Sequence, residues 1–215
     1  MLHPLIYLAA LTLLAGAAAD QMITVSSEVD ISSCPITFYG HKYEQFYVNF
    51  TSDNFIICFS GFYNPETRGD CIVGPKGLAH YTLLDIKPPD PFFERYFLQF
   101  LPTIKNHLQC MVVLNVDHNG TFTDFFLGNF GTQTALYLST FIPDSVVIDA
   151  FVDGNAVDRW SFRGYIFIDI SGCRYSGVLY KPGTAVKSPG TCFSITCSEN
   201  AVLMITGSNG LSMLL

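Results

Sequence analysis

Cys110–Val116 (CMVVLNV) and Thr121–Leu127 (TFTDFFL) flank the tetrapeptide Asp117-His118-Asn119-Gly120. Both runs are rich in β-branched and aromatic residues and are too short for typical helices, which reads as strand. Asn-Gly tolerates positive φ at both positions and so favours a tight reversal between antiparallel neighbours. The stretch predicts a β-hairpin, and its pattern recurs on either side.

Upstream, Glu44–Phe50 (EQFYVNF) and Phe55–Phe59 (FIICF) surround the polar Thr51-Ser52-Asp53-Asn54, a second hairpin pattern. Asn64–Lys76 collects Pro, Gly and charge and is expected to be a loop. His80–Ile86 reads as a strand stopped by Pro88-Pro89-Asp90-Pro91, and Phe92–Leu101 fits a helix or a strand. Downstream, Ala135–Phe141, Val146–Val152 and Val157–Phe162 read as strands, with Asp153-Gly154-Asn155 turning the second into the third. Tyr165–Ile170 (YIFIDI) closes the series. Strands at near-regular spacing with few helix formers between them predict an all-β fold, a β-sandwich of jelly-roll or lectin-like type. The body is assigned to residues 20–172, and 173–215 to a small, disulfide-stapled β segment.

Leu5–Ala15 (LIYLAALTLLA) is an unbroken apolar run of signal-peptide length, too short to cross a bilayer as a helix. Ala17-Ala18-Ala19 offers a cleavage site before Asp20, so residues 1–19 are expected to be a secretory leader. The alternative is a buried N-terminal helix. The leader implies a secreted, extracellular protein in a compartment where cysteines pair. No second apolar run is long enough to span a membrane as a helix.

The formal net charge is −7, and charged residues make up only 13% of the chain. An acidic chain without a basic run argues against nucleic acid as partner. Aromatic residues reach 14%, with 19 Phe and 11 Tyr, so neutral polar groups, glycans or a partner must cover the surface.

Seven cysteines are present: Cys34, Cys58, Cys71, Cys110, Cys173, Cys192 and Cys197. In a secreted chain they imply disulfides, and their spacings fit no zinc pattern. Cys34, Cys58, Cys71 and Cys110 are expected to pair among themselves. Cys173, Cys192 and Cys197 form a second group with the odd member. That thiol is either buried and inert or pairs between chains in a disulfide-linked dimer.

Two sequons, Asn49-Phe50-Thr51 and Asn119-Gly120-Thr121, are candidate glycan sites. Asn119 stands in an expected exposed turn, whereas Asn49 lies in a strand and must point outward to be used. No nucleophile elbow, paired carboxylates, calcium loop, phosphate loop or metal-ligand helix stands out, so neither an enzyme nor a cofactor is expected. The remaining candidate surface is Asp158-Arg159-Trp160-Ser161-Phe162-Arg163. Trp and Arg are enriched in binding hot spots. Strand alternation sends Arg159, Ser161 and Arg163 to one face and Asp158, Trp160 and Phe162 to the other. Either Arg159 and Arg163 face a partner, or the rings fill the core while the arginines cover its rim.

Cys173–Asn200 (CRYSGVLYKPGTAVKSPGTCFSITCSEN) resembles the start of a von Willebrand factor type C module of the single-domain kind. The resemblance rests on Cys173, Gly177, Tyr180, Gly183, Cys192 and Cys197. The later cysteines of complete modules are missing, so the module is partial. The resemblance implies binding to extracellular proteins without enzymatic chemistry. The bare alternative is a β-hairpin stapled to the body. Phe46–Pro65 and Asp153–Gly172 together loosely resemble galectin-like sandwiches, which implies the sandwich architecture alone. The sequence thus points to a non-enzymatic extracellular interaction protein with a protein or glycan partner. The alternative is a carbohydrate-binding, lectin-like module.

Overall fold

The computed structural model describes residues 21–51, 54–76, 79–118, 121–141, 144–187, 193–207 and 212–214. The expected leader (1–19), Asn119 and Cys192 lie outside the described residues.

The body is a sandwich of two six-stranded antiparallel sheets. The first runs in the order β1 (Gln21–Ile23), β8 (Ala79–Lys87), β9 (Cys110–His118), β10 (Thr121–Phe130), β11 (Gln133–Thr140), β14 (Tyr165–Asp169). The second runs β13 (Asn155–Phe162), β12 (Val146–Val152), β7 (Cys71–Lys76), β6 (Asn54–Cys58), β5 (Gln45–Phe50), β2 (Ser27–Asp30). A short hairpin, β3 (Ile36–Phe38) with β4 (His41–Tyr43), sits at one end.

Alternation along each strand builds the core. Val112, Leu114 and Val116 of β9 point inward with Phe125 and Leu127 of β10, and face Phe46, Val48, Phe55 and Ile57 of the opposite sheet. Phe55 and Phe125 meet across the sandwich with ring centroids 5.7 Å apart. Burying each such side chain contributes about 1.5–3 kcal/mol.

The hairpin read from Cys110–Leu127 forms with Thr121 opposite His118. Val146–Val152 reverses through Asp153 and Gly154, both at positive φ, so that Val152 pairs with Asn155. The expected loop over Asn64–Lys76 is corrected: its second half is β7, hydrogen-bonded between β6 and β12. Gly74 and Pro75 obscured the pattern, and the strand is held by pairing on both sides rather than by propensity.

The undecided Phe92–Leu101 is helix α1 (Pro91–Phe100). Asp90 caps it by accepting from the Phe92 N–H at 2.8 Å, and Pro91 takes the first turn, where no donor is needed. Phe93 and Phe97 pack against the outer face of the first sheet, on Phe126, Phe130 and Phe167.

Three disulfides form, Cys34–Cys110, Cys58–Cys71 and Cys173–Cys197, keeping to the two groups the sequence separates. Beyond Cys173 the chain makes β15 (Cys173–Tyr175) with β16 (Val178–Tyr180). A four-stranded sheet of β17 (Ala185–Lys187), β18 (Phe193–Cys197), β19 (Leu203–Gly207) and β20 (Ser212–Leu214) follows. This segment has its own small apolar cluster around Cys173, Ile195, Cys197 and Leu203. No helix among the described residues is long and apolar enough to cross a membrane.

Candidate functional site

The outer face of the second sheet carries an open groove of about 580 Å³. Its floor is Phe151 and Val73, outward-facing residues of β12 and β7, with Tyr63 from the loop between β6 and β7. Four charged side chains frame it. Arg68 lies over the Phe151 ring with its guanidinium carbon 4.7 Å from the centroid, a cation–π contact. Arg159 and Asp149 are cross-strand partners joined by two hydrogen bonds, Nε to Oδ1 at 2.6 Å and Nη2 to Oδ2 at 3.0 Å. That carboxylate raises the Arg159 pKa by accepting hydrogen bonds from the guanidinium and attracting its charge. Asp158 closes the edge and accepts from Lys181 Nζ at 2.8 Å and from the Tyr39 hydroxyl.

Local sequence explains how Arg68 is presented. Asn64 Oδ1 accepts from the Glu66 N–H at 2.8 Å, and Asn64 O from the Arg68 N–H at 2.7 Å, which winds Asn64-Pro65-Glu66-Thr67 into a turn. Arg68 itself has φ +56°, the left-handed conformation. A non-glycine residue held there costs energy and persists because its surroundings over-determine it.

Two residues after Arg68, Asp70 belongs to a buried polar clasp. Asp70 and Arg174 form an ion pair with side chains 2% and 4% exposed. Arg174 also donates to the carbonyls of Phe38 and Tyr39, both at 2.9 Å, and contacts His41 and Asp153. Asp70 accepts in addition from the Tyr43 hydroxyl and from the Asp153 N–H. One guanidinium therefore ties the C-terminal segment to the β3–β4 hairpin, the start of β7 and the β12–β13 turn. The buried charges are tolerated because each has its opposite and several hydrogen bonds. Gly40 is required at this junction: at φ +93°, a Cβ would lie 2.9 Å from backbone atoms of Gly172, Cys173 and Arg174.

Burial, reinforced by the bond to Asp158, raises the Tyr39 pKa above the usual phenol value. Burial and the bond to Asp70 raise that of Tyr43.

The two arginines singled out from sequence are not brought together. Arg159 frames the groove, whereas Arg163 stands exposed in the turn from β13 to β14, outside the groove lining. Trp160 packs inward against the core and Phe162 is buried. Asn49 is 5% exposed rather than outward-facing, with Nδ2 donating to Tyr47 O at 3.0 Å and Oδ1 accepting from Tyr63 N at 2.9 Å.

Arg68, Tyr63, Phe151, Asp70 and Arg174 were not found from sequence. Asn64–Lys76 read as a loop, but nothing local said which ring Arg68 would cover. Arg174 followed the first cysteine of the C-terminal segment and carried no signal that its partner lies 104 residues away. Comparison with protein-family models, curated protein sequences and solved structures finds no match to this chain.

Proposed function

We propose that this is a secreted, disulfide-bonded, non-enzymatic protein that binds an extracellular partner through the groove of Tyr63, Arg68, Phe151, Asp149 and Arg159. The observation that carries the reading is the pairing of an aromatic floor with preorganised guanidinium groups. Arg68 is held by its turn and its ring, and Arg159 by a two-point bond to Asp149. Such groups give up little rotamer freedom on binding, and Arg and Tyr are the residues that dominate interface energetics. The three disulfides support an oxidising compartment. The resemblance of Cys173–Asn200 to von Willebrand factor type C modules favours a protein as partner.

A carbohydrate ligand is the second reading. It rests on the same groove, where ring faces lie beside carboxylates and guanidiniums able to bond hydroxyl groups.

Affinity capture from the secreting tissue tests the proposal, with wild type compared against Arg68→Glu and Arg159→Glu. A protein retained by wild type and lost with both variants supports it. Ligands found on a glycan array and lost with the same variants support the second reading. Retention unchanged in both variants removes the groove as the binding site.

A further inference from the structure

The outer strands of the two sheets are defended unequally. In the first sheet β1 is only three residues long; in the second, β2 carries Glu28 and Asp30. The edge strand β13 is broken by a register shift opposite Ala150/Phe151, and Lys181 crosses to its Asp158. Short length, charge, bulges and covering side chains are the devices that keep sheet edges from pairing further.

β14 has no register shift, and its one charge, Asp169, stands at its last position. It reads Tyr165-Ile166-Phe167-Ile168-Asp169, pairs with β11 on one side, and has no strand on its other side among the described residues. Its outward ring Tyr165 is 58% exposed. The apolar face continues onto α1, where Phe100 stacks on Phe167 at 4.6 Å and is itself partly exposed.

We infer that β14 is a self-association edge, pairing antiparallel with β14 of a second copy about a two-fold axis and joining two first sheets into one. Charge complementarity selects a second copy. An antiparallel pairing centred on Ile166 places Tyr165 opposite the partner's Phe167 and brings Arg163 level with the partner's Asp169. Symmetry repeats each contact. Arg163 is exposed and makes no ion pair among the described residues. Asp169 accepts from Thr103 Oγ1 at 2.6 Å and from the Ser171 N–H at 2.9 Å, one bond per oxygen, which leaves a lone pair on each. Aromatic cross-strand pairs and opposite charges at the ends stabilise such a ladder and set its register.

Sedimentation velocity on the full secreted chain tests this, with Tyr165→Lys, Arg163→Glu and Cys192→Ser. Wild type and Cys192→Ser are expected to dimerise. Tyr165→Lys is expected to be monomeric and still folded by circular dichroism, because Tyr165 is 58% exposed and only skirts the rings of Phe100, Tyr137 and Phe167. Arg163→Glu is expected to weaken the dimer by about tenfold, since two symmetric attractions become repulsions, with the effect fading at high salt. A wild type that stays monomeric at its highest soluble concentration overturns the inference. So does a dimer that survives both Tyr165→Lys and Arg163→Glu, or one that disappears in Cys192→Ser.

Discussion

Arg174 with Asp70 and Arg159 with Asp149 are the same chemical pair in two settings. The first pair is sealed inside the fold, its side chains 4% and 2% exposed. The second lies on an open sheet face, with the Arg159 side chain 72% exposed. In the interior each charge lacks water, so removing one partner strands the other. On the surface water replaces a lost partner, and the pair adds little to stability. The buried pair therefore holds the C-terminal segment on the body, and the exposed pair is free to exchange its partner for a ligand.

The largest break in that contrast is expected from Arg174→Met. Asp70 is left buried without its cation, at a cost of roughly 3–5 kcal/mol. Urea denaturation of the purified chain measures this, and secreted yield should fall with it. A loss too small to measure would mean that the clasp does not couple the C-terminal segment to the body.

Gly40→Ala probes the same junction without touching a charge. Its Cβ meets three backbone atoms, and the residue stays at positive φ. The expected cost is about 1–3 kcal/mol, read from the shift in denaturation midpoint. Gly177→Ala is the matched control, because φ is +75° there with open space around the added carbon. The difference between the two isolates the close approach of the β3–β4 turn to Cys173 and Arg174.

The clasp also makes a prediction in pH. Tyr39 and Tyr43 hold their protons more tightly in the folded chain than in the unfolded one. Their contribution is fully present below the unfolded phenol pKa of about 10 and is lost as pH rises beyond it. Stability measured by denaturant should be flat from pH 8 to 9 and decline above about pH 10. Phenolate absorbance should show two tyrosines that ionise only as the chain unfolds. Two fully titrating phenols in a folded chain would contradict the burial of this hub.

Arg159→Ala is the smallest expected change in stability and the sharpest in function. The melting temperature should stay nearly unchanged, because the side chain is solvated and Asp149 regains water. Capture of the partner should fall. Unchanged capture together with unchanged melting would leave the surface pair as decoration of the sheet face.

What the sequence determined by itself is local. The short β-branched and aromatic runs in Cys110–Leu127 and the turn chemistry at Asn119-Gly120 and Asp153-Gly154 dictate strands, hairpins and hence an all-β sandwich. Each depends on neighbours a few residues apart. The dense aromatics of Phe92–Phe100 suit either structure, and the Asp90 cap with packing on Phe126 and Phe167 decided for α1. Separation of the cysteines into two groups was legible, whereas the partners within the first group depend on which strands become neighbours. β7 was lost to its Gly and Pro because its stability comes from pairing on both sides. Asn49 could be placed on a strand but not on a face, since a one-residue change of register reverses every side chain. The groove and the clasp are tertiary in the strict sense. Arg68 finds Phe151 only once β7 has paired with β12, and Arg174 finds Asp70 only once the C-terminal segment has folded back. No local pattern encodes a contact between residues so far apart along the chain.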